Sequence, residues 1–149
     1  MILGLDISSS ITGITVLDEK GSILYCMHVD TRKEKGLIKK AKKVEEALFN
    51  LSCQVEINRI YVEQSLQTFR SGFSSANTLS VLSKMNGIVS WICYKVFSKE
   101  PLYLEAKSAR KQIGIKIPKG SKAKEVVMDF MVDNVEDFKV QYTRYGNPS

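Results

Sequence analysis

Two carboxylates occupy matching places in this chain. Asp6 closes the apolar run that begins at Ile2, and Glu63 follows Ile60-Tyr61-Val62. Runs of this kind read as interior strands, and a carboxylate at the end of one is costly to bury unless it is paired or holds a cation. If the two strands are neighbours, both acids emerge at one sheet edge, close enough to share Mg²⁺ ions. Hard divalent cations take oxygen ligands, keep several waters, and are held by a few carboxylates together with substrate phosphate. A pair of such ions clamps the attacking and leaving oxygens of a phosphodiester displacement. Each acid by itself also reads as a strand-end residue facing water; it is their matched placement that favours a shared site. His28 lies in a strand without a nearby serine or cysteine partner and receives no catalytic assignment.

The elements that must position these acids follow from hydrophobic periodicity. Ile2–Ile7, Ile11–Leu17 and Ser22–Val29 are strand-like, and Asp18-Glu19-Lys20-Gly21 is a turn, so the three form an antiparallel meander. Leu37, Ala41, Val44, Leu48 and Leu51 recur at helical spacing, with lysines off the stripe. Ile57–Val62 is a fourth strand ending at Glu63. The polar segment Gln64–Asn77 follows, and its Phe69 and Phe73 have no periodic partners. A long helix is predicted over Ala76–Phe97, apolar nearly all round, which calls for burial on more than one side: the sheet, and a second subunit. Pro101–Leu104 is a fifth strand, Ala106–Ile113 a short helix, and Ser121 is expected to cap a helix running to about Asp133. The sum is an α/β fold with a mixed five-stranded sheet (the meander plus parallel strands) flanked by helices.

The 149 residues suit a single domain. A composition of 44% hydrophobic and 26% charged residues describes a globular protein rather than a disordered one. No apolar run reaches the roughly 18 residues of a membrane span, and the first residues meet a carboxylate too soon for a signal peptide. Cys26, Cys53 and Cys93 lack metal-like spacing and are expected to be buried, reduced thiols of an intracellular protein. The net charge of +6 is uneven: residues 32–48 carry seven basic and three acidic side chains, and residues 99–125 carry eight and three. Two basic segments suit a polyanion such as nucleic acid, though a solvated lysine-rich surface fits the charge equally well.

The ordered set of motifs resembles a known family. Ile2-Leu3-Gly4-Leu5-Asp6 with Thr12-Gly13, Val62-Glu63-Gln64, and Lys111-Gln112 before a glycine and a lysine-rich helix start are similar to the RuvC-type Holliday junction resolvases. The likeness runs from Ile2 to about Met131. It implies an RNase H-like fold and a homodimeric, Mg²⁺-dependent endonuclease, with Mn²⁺ as a substitute ion. Such an enzyme makes paired nicks in four-way DNA junctions by metal-activated water, leaving a 5′-phosphate and a 3′-hydroxyl. The resemblance matches Asp6 and Glu63 to the family's metal-binding acids. It matches Lys111 and Lys122 to basic residues near the scissile phosphate, with Lys124 a close competitor for the second role, and it extends DNA contact to Lys119. Phe69, beside Arg70, and Phe73 lie where the family carries an aromatic wedge that enters the junction centre. The dimer implied uses the long helix around Ala76–Phe97.

Two features depart from the family. Ile7-Ser8 replaces the usual proline-glycine character after the first aspartate, which suggests a divergent, viral branch. Family members also end in a helix bearing one or two further aspartates. Here Asp129, Asp133, Glu136 and Asp137 read instead as an exposed polar face, so the expectation is a single nuclease domain over 1–149 without that last helix. The alternatives are a structure-selective nuclease for other branched or flap DNA, and a branched-DNA-binding module with impaired catalysis. An actin-like nucleotide-binding domain needs two such domains, more chain than this.

Overall fold

The computed structural model describes residues 1–64, 76–136, 138 and 140. Five strands, β1 (Ile2–Ile7), β2 (Ile11–Leu17), β3 (Ile23–Asp30), β4 (Arg59–Glu63) and β5 (Leu102–Leu104), form one sheet in the order β3-β2-β1-β4-β5. The first three pair antiparallel, and β4 adds to β1 and β5 to β4 in parallel. This is the mixed sheet expected from the sequence. Two helices, α1 (Leu37–Ser52) and α2 (Ala76–Phe97), belong with the sheet; α3 (Ala106–Gln112) and α4 (Ala123–Asn134) follow. The chain divides into two compact units, Met1–Ala106 and Lys107–Ser149.

In the first unit, alternation along the strands sets which face is the core. Leu3, Leu5 and Ile7 of β1, Ile14 and Val16 of β2, and Ile60 and Val62 of β4 are buried. They meet Ala41, Val44, Leu48 and Leu51 of α1 and Met85, Val89, Ile92 and Cys93 of α2 in one cluster. Because side chains alternate across a strand, the residues between these core positions project from the opposite face. Truncating a fully buried member such as Leu3 to alanine costs about 2–5 kcal/mol, so the sheet is a stiff platform for whatever its other face carries.

The β2–β3 hairpin turns on Asp18 and Gly21. The Asp18 carboxylate accepts the Lys20 and Ser22 amides, each at 2.8 Å, and Gly21 adopts φ +88°, where a side chain is strained. A second left-handed glycine, Gly36 at φ +88°, ends the β3–α1 connection and starts α1.

Several local expectations shift. β5 is three residues long because Pro101 has no amide to give the ladder. β4 begins at Arg59, where pairing with Ile2 begins; the Asn58 amide donates instead to the Met1 carbonyl at 2.8 Å. Cys93 is buried as expected, whereas Cys26 and Cys53 are exposed. Cys26 sits on the β3 face opposite the core residue Val29, and Cys53 sits just past the end of α1. Asn86, inside the buried stripe of α2, has no hydrogen-bond partner for its amide among the described residues.

In the second unit, Lys122 rather than Ser121 occupies the helix-capping position of α4, and no side chain caps it. Gly114 and Gly120, at φ +81° and +89°, turn the lysine-rich connection between α3 and α4. Asp129, Asp133 and Glu136 are exposed, as the polar-face reading anticipated; Asp137 lies outside the described residues.

Candidate active site

The register of the parallel β1–β4 pair aligns Ile2 with Arg59 and Leu5 with Val62. One residue further along the same register, Asp6 stands level with Glu63. Both side chains alternate with buried neighbours, Leu5 and Ile7 on β1 and Val62 on β4, and both are exposed. The two carboxylates therefore leave the same face at the same end of adjacent strands, from positions about 4.8 Å apart. Two like charges on adjacent strands repel. A cation placed between them turns that cost into attraction.

Opposite Asp6 on the other side of β1 is Gly13 of β2. A Cβ placed at Gly13 would stand 3.7 Å from the Asp6 Cβ, so the missing side chain keeps that flank of the acid open. Beyond Gly13, in register with it on β3, is His28, exposed on the same face. A row therefore crosses the sheet through His28, Gly13, Asp6 and Glu63. His28 gave no sequence signal because its neighbours are set by strand order, not by chain proximity. Gly13 could have been noticed: a glycine inside a strand often marks close approach by another group.

The loop after Asp6 is tied down by hydrogen bonds. The Ser8 hydroxyl accepts the Ile11 amide at 2.9 Å and donates to the Ile11 carbonyl at 2.7 Å. Thr31, fully buried at the end of β3, donates its hydroxyl to the Ser9 and Ser10 carbonyls and its amide to Ser10 at 2.8 Å. The Lys40 ammonium of α1 also donates to the Ser9 carbonyl. Thr31 was not singled out from the sequence, and Lys40 was read only as part of a basic helix face, since each holds this loop through a contact more than 20 residues away.

Two carboxylates at one strand edge are the hard oxygen donors that Mg²⁺ takes, with water and substrate phosphate completing its shell. The donor set thus fits the ion implied by the sequence. Among the described residues no group of three or more His, Cys, Asp or Glu side chains converges as a metal cage.

Of the other predicted site residues, Lys111, Lys119, Lys122 and Lys124 are exposed in the second unit. Lys111 ends α3, while Lys122 pairs with Glu125 at 2.9 Å, which raises its pKa. Phe69, Arg70 and Phe73 lie outside the described residues.

A mixed five-stranded sheet of this order, with acids ending β1 and β4, belongs to the RNase H-like class of folds. Its more particular likeness is to RuvC. Thermus thermophilus RuvC in complex with a Holliday junction substrate superposes with a TM-score of 0.70 at 11% identity, covering 94% of this chain and 82% of that one. A second T. thermophilus RuvC structure gives 0.65 at 15% identity over 97% and 85%. The yeast mitochondrial Holliday junction resolvase Ydc2 gives 0.53 at 16% identity over 89% and 60%. At such identities the likeness is one of fold, and the fold is that of RuvC. No protein-family model matches the sequence, and no curated protein sequence matches it.

Proposed function

We propose that this protein is an intracellular Holliday junction resolvase: a Mg²⁺-dependent endonuclease that nicks four-way DNA junctions in pairs. The observation that carries the proposal is the placement of Asp6 and Glu63, level on adjacent parallel strands of a RuvC fold. The structural likeness to a RuvC bound to a Holliday junction supports branched DNA as the substrate.

In this reading Asp6 and Glu63 hold the ion against the scissile phosphate, and Gly13 leaves space for the DNA backbone beside Asp6. The ion, when bound, activates water and stabilises charge on the phosphoryl oxygens. The hydrogen bonds of Ser8, Thr31 and Lys40 keep the loop after Asp6 from reorganising, so the carboxylate is pre-positioned. By resemblance to the family, Lys111 and Lys122, or Lys124 in place of the latter, are assigned the role of cationic partners of the phosphate. Lys122 would exchange Glu125 for DNA at little cost, since exposed ion pairs are weak. Lys119, Arg70 and the wedge candidates Phe69 and Phe73 complete the DNA-contact set.

A homodimer through α2 supplies the second site that paired nicking needs. Trp91 is 64% exposed and Tyr94 51%, with ring centroids 5.9 Å apart, so α2 presents an aromatic pair beyond its core stripe. Aromatic residues of this kind are the usual anchors of protein interfaces. Among the described residues no helix is long and apolar enough to cross a membrane.

The test is a synthetic four-way junction incubated with the protein and Mg²⁺ or Mn²⁺. Symmetric paired nicks that require the ion support the proposal. Binding without nicking supports the impaired-module alternative, and preferential cutting of flaps supports the broader nuclease.

A further inference from the structure

The connection from β3 into α1 carries a dense positive charge on the first unit. Between Thr31 and Val44 lie Arg32, Lys33, Lys35, Lys39, Lys40, Lys42 and Lys43, against a single acid, Glu34. Two of these cations are engaged with carboxylates: Arg32 with Asp30 at 2.6 Å and Lys43 with Glu34 at 3.6 Å. Lys40 reaches the Ser9 carbonyl. Lys33, Lys35, Lys39 and Lys42 are exposed and form no ion pair among the described residues. The first turn of α1 contains no acid to oppose them.

Topology decides where this charge lies. β3 runs parallel to β1, because each is antiparallel to β2, and Val29 and Ile7 both pair with Thr12. The end of β3 is therefore at the same sheet end as Asp6 and Glu63. The Lys40 and Thr31 contacts to Ser9 and Ser10 join the start of α1 to the loop that follows Asp6. The four lysines thus lie at the sheet end that carries the acid pair, on the connection into α1 and on its exposed side, while α1 packs on the core face and the acids leave the opposite one. Acids repel a polyanion while unpaired lysines draw it in, so at this end of the sheet the lysines are the groups of the first unit that attract one.

We propose that Lys33, Lys35, Lys39 and Lys42 form a phosphate-binding surface for a duplex DNA arm next to the cleavage point. This rests on the resolvase reading given above, and it names a DNA contact in the first unit distinct from Lys111, Lys119, Lys122 and Lys124. Duplex DNA presents one negative charge per about 1.7 Å of its axis. Lys39 and Lys42, one helical turn apart at about 5–6 Å, therefore span one to two phosphates of the strand facing them, at about 3.4 Å of axis per phosphate. The surface reads no sequence; it fixes the arm's direction.

The experiment measures junction affinity as a function of salt for the wild-type chain and for Lys35→Gln/Lys39→Gln/Lys42→Gln. Lys20→Gln serves as control, because Lys20 lies in the β2–β3 turn at the opposite sheet end. All four positions are exposed, and thermal unfolding verifies that each variant is folded. The triple variant is expected to bind a long-armed junction about tenfold or more weakly near 0.1 M salt. Its log–log salt slope should become shallower by about 0.9 per lysine removed. A junction whose arms are trimmed to a few base pairs should not distinguish the triple variant from wild type. An unchanged slope in the triple variant overturns the inference and leaves the resolvase reading standing. So does a change per charge equal to that of Lys20→Gln, which means only diffuse attraction. If the wild-type chain binds no four-way junction at all, the functional reading fails and the inference with it.

Discussion

Asp6 and Glu63 project from one face of the sheet at the same level of two hydrogen-bonded parallel strands, although 57 positions separate them in the chain. The core residues Leu5, Ile7 and Val62 fix this relationship from beneath. A one-residue slip of either strand would turn its acid into the core and its core residues to solvent, so burial enforces the register. The acid pair is therefore as stable as the sheet itself.

Gly13 separates the demands of folding from those of the site. Its backbone is outside the left-handed region, and an added Cβ meets Asp6 only at ordinary contact distance. Gly13→Ala should therefore keep the fold and raise stability by up to about 1 kcal/mol, because strand glycines pay extra conformational entropy. Gly13→Val should crowd the flank of Asp6 and lower the cleavage rate about tenfold or more, as misplacement of about 1 Å can. Thermal unfolding and single-turnover cleavage, run on both variants, check the two halves of this expectation.

Thr31 holds the loop beside Asp6 through its buried hydroxyl. Thr31→Val keeps the shape but removes donors from the Ser9 and Ser10 carbonyls, which retain bonds from Lys40 and from the residue-31 amide. The expected loss is about 1 kcal/mol of stability. Urea unfolding with an unchanged m-value reads it. A loss near zero would show that the loop does not depend on this hydroxyl.

Burial pushes the Cys93 thiol up to about 12. The unfolded chain releases this proton near pH 8.5, while the folded chain keeps it. Between those values the folded state binds more protons, so stability falls as pH rises, by at most about 1.4 kcal/mol per pH unit. Cys93→Ala should flatten that alkaline decline. At pH 8 a thiol reagent should react quickly with Cys26 and Cys53 in the folded protein and with Cys93 only after unfolding.

The α2 interface is tested by Trp91→Lys. A central aromatic anchor is worth about 2 kcal/mol or more, so the dimer dissociation constant should rise roughly thirtyfold without loss of fold. Light scattering across a concentration series reads this directly. A wild-type chain that stays monomeric at high concentration contradicts the dimer.

Periodicity made much of this fold legible. The stripe Leu37, Ala41, Val44, Leu48 and Leu51 gave α1, and the apolar stretch Ala76–Phe97 gave the bounds of α2, because in both helices burial follows the 3.6-residue repeat. The acids at the ends of β1 and β4 were visible as residues. That their strands are neighbours was a conditional step, since strand order depends on crossovers rather than on local pattern. The same blindness hid the row from His28 through Gly13 to Asp6, and the ties of Thr31 and Lys40 to the loop. Cys26 was misread because an edge strand presents its second face to solvent even where the sequence is apolar. Ser121 was a good capping type one residue too early: the helix starts after Lys122, in a segment with no buried residue to fix its phase.

The central claim is that Asp6 and Glu63 act as one ion-holding unit. Its most direct test is Mn²⁺ binding, followed by electron paramagnetic resonance or calorimetry in the presence of a four-way junction, for wild type, Asp6→Asn, Glu63→Gln and the double variant. Each single change should weaken Mn²⁺ binding about tenfold or more and abolish cleavage while junction binding persists, and the double variant should bind Mn²⁺ no better than the weaker single. Full Mn²⁺ affinity in either single variant, or cleavage surviving in either, would contradict the account.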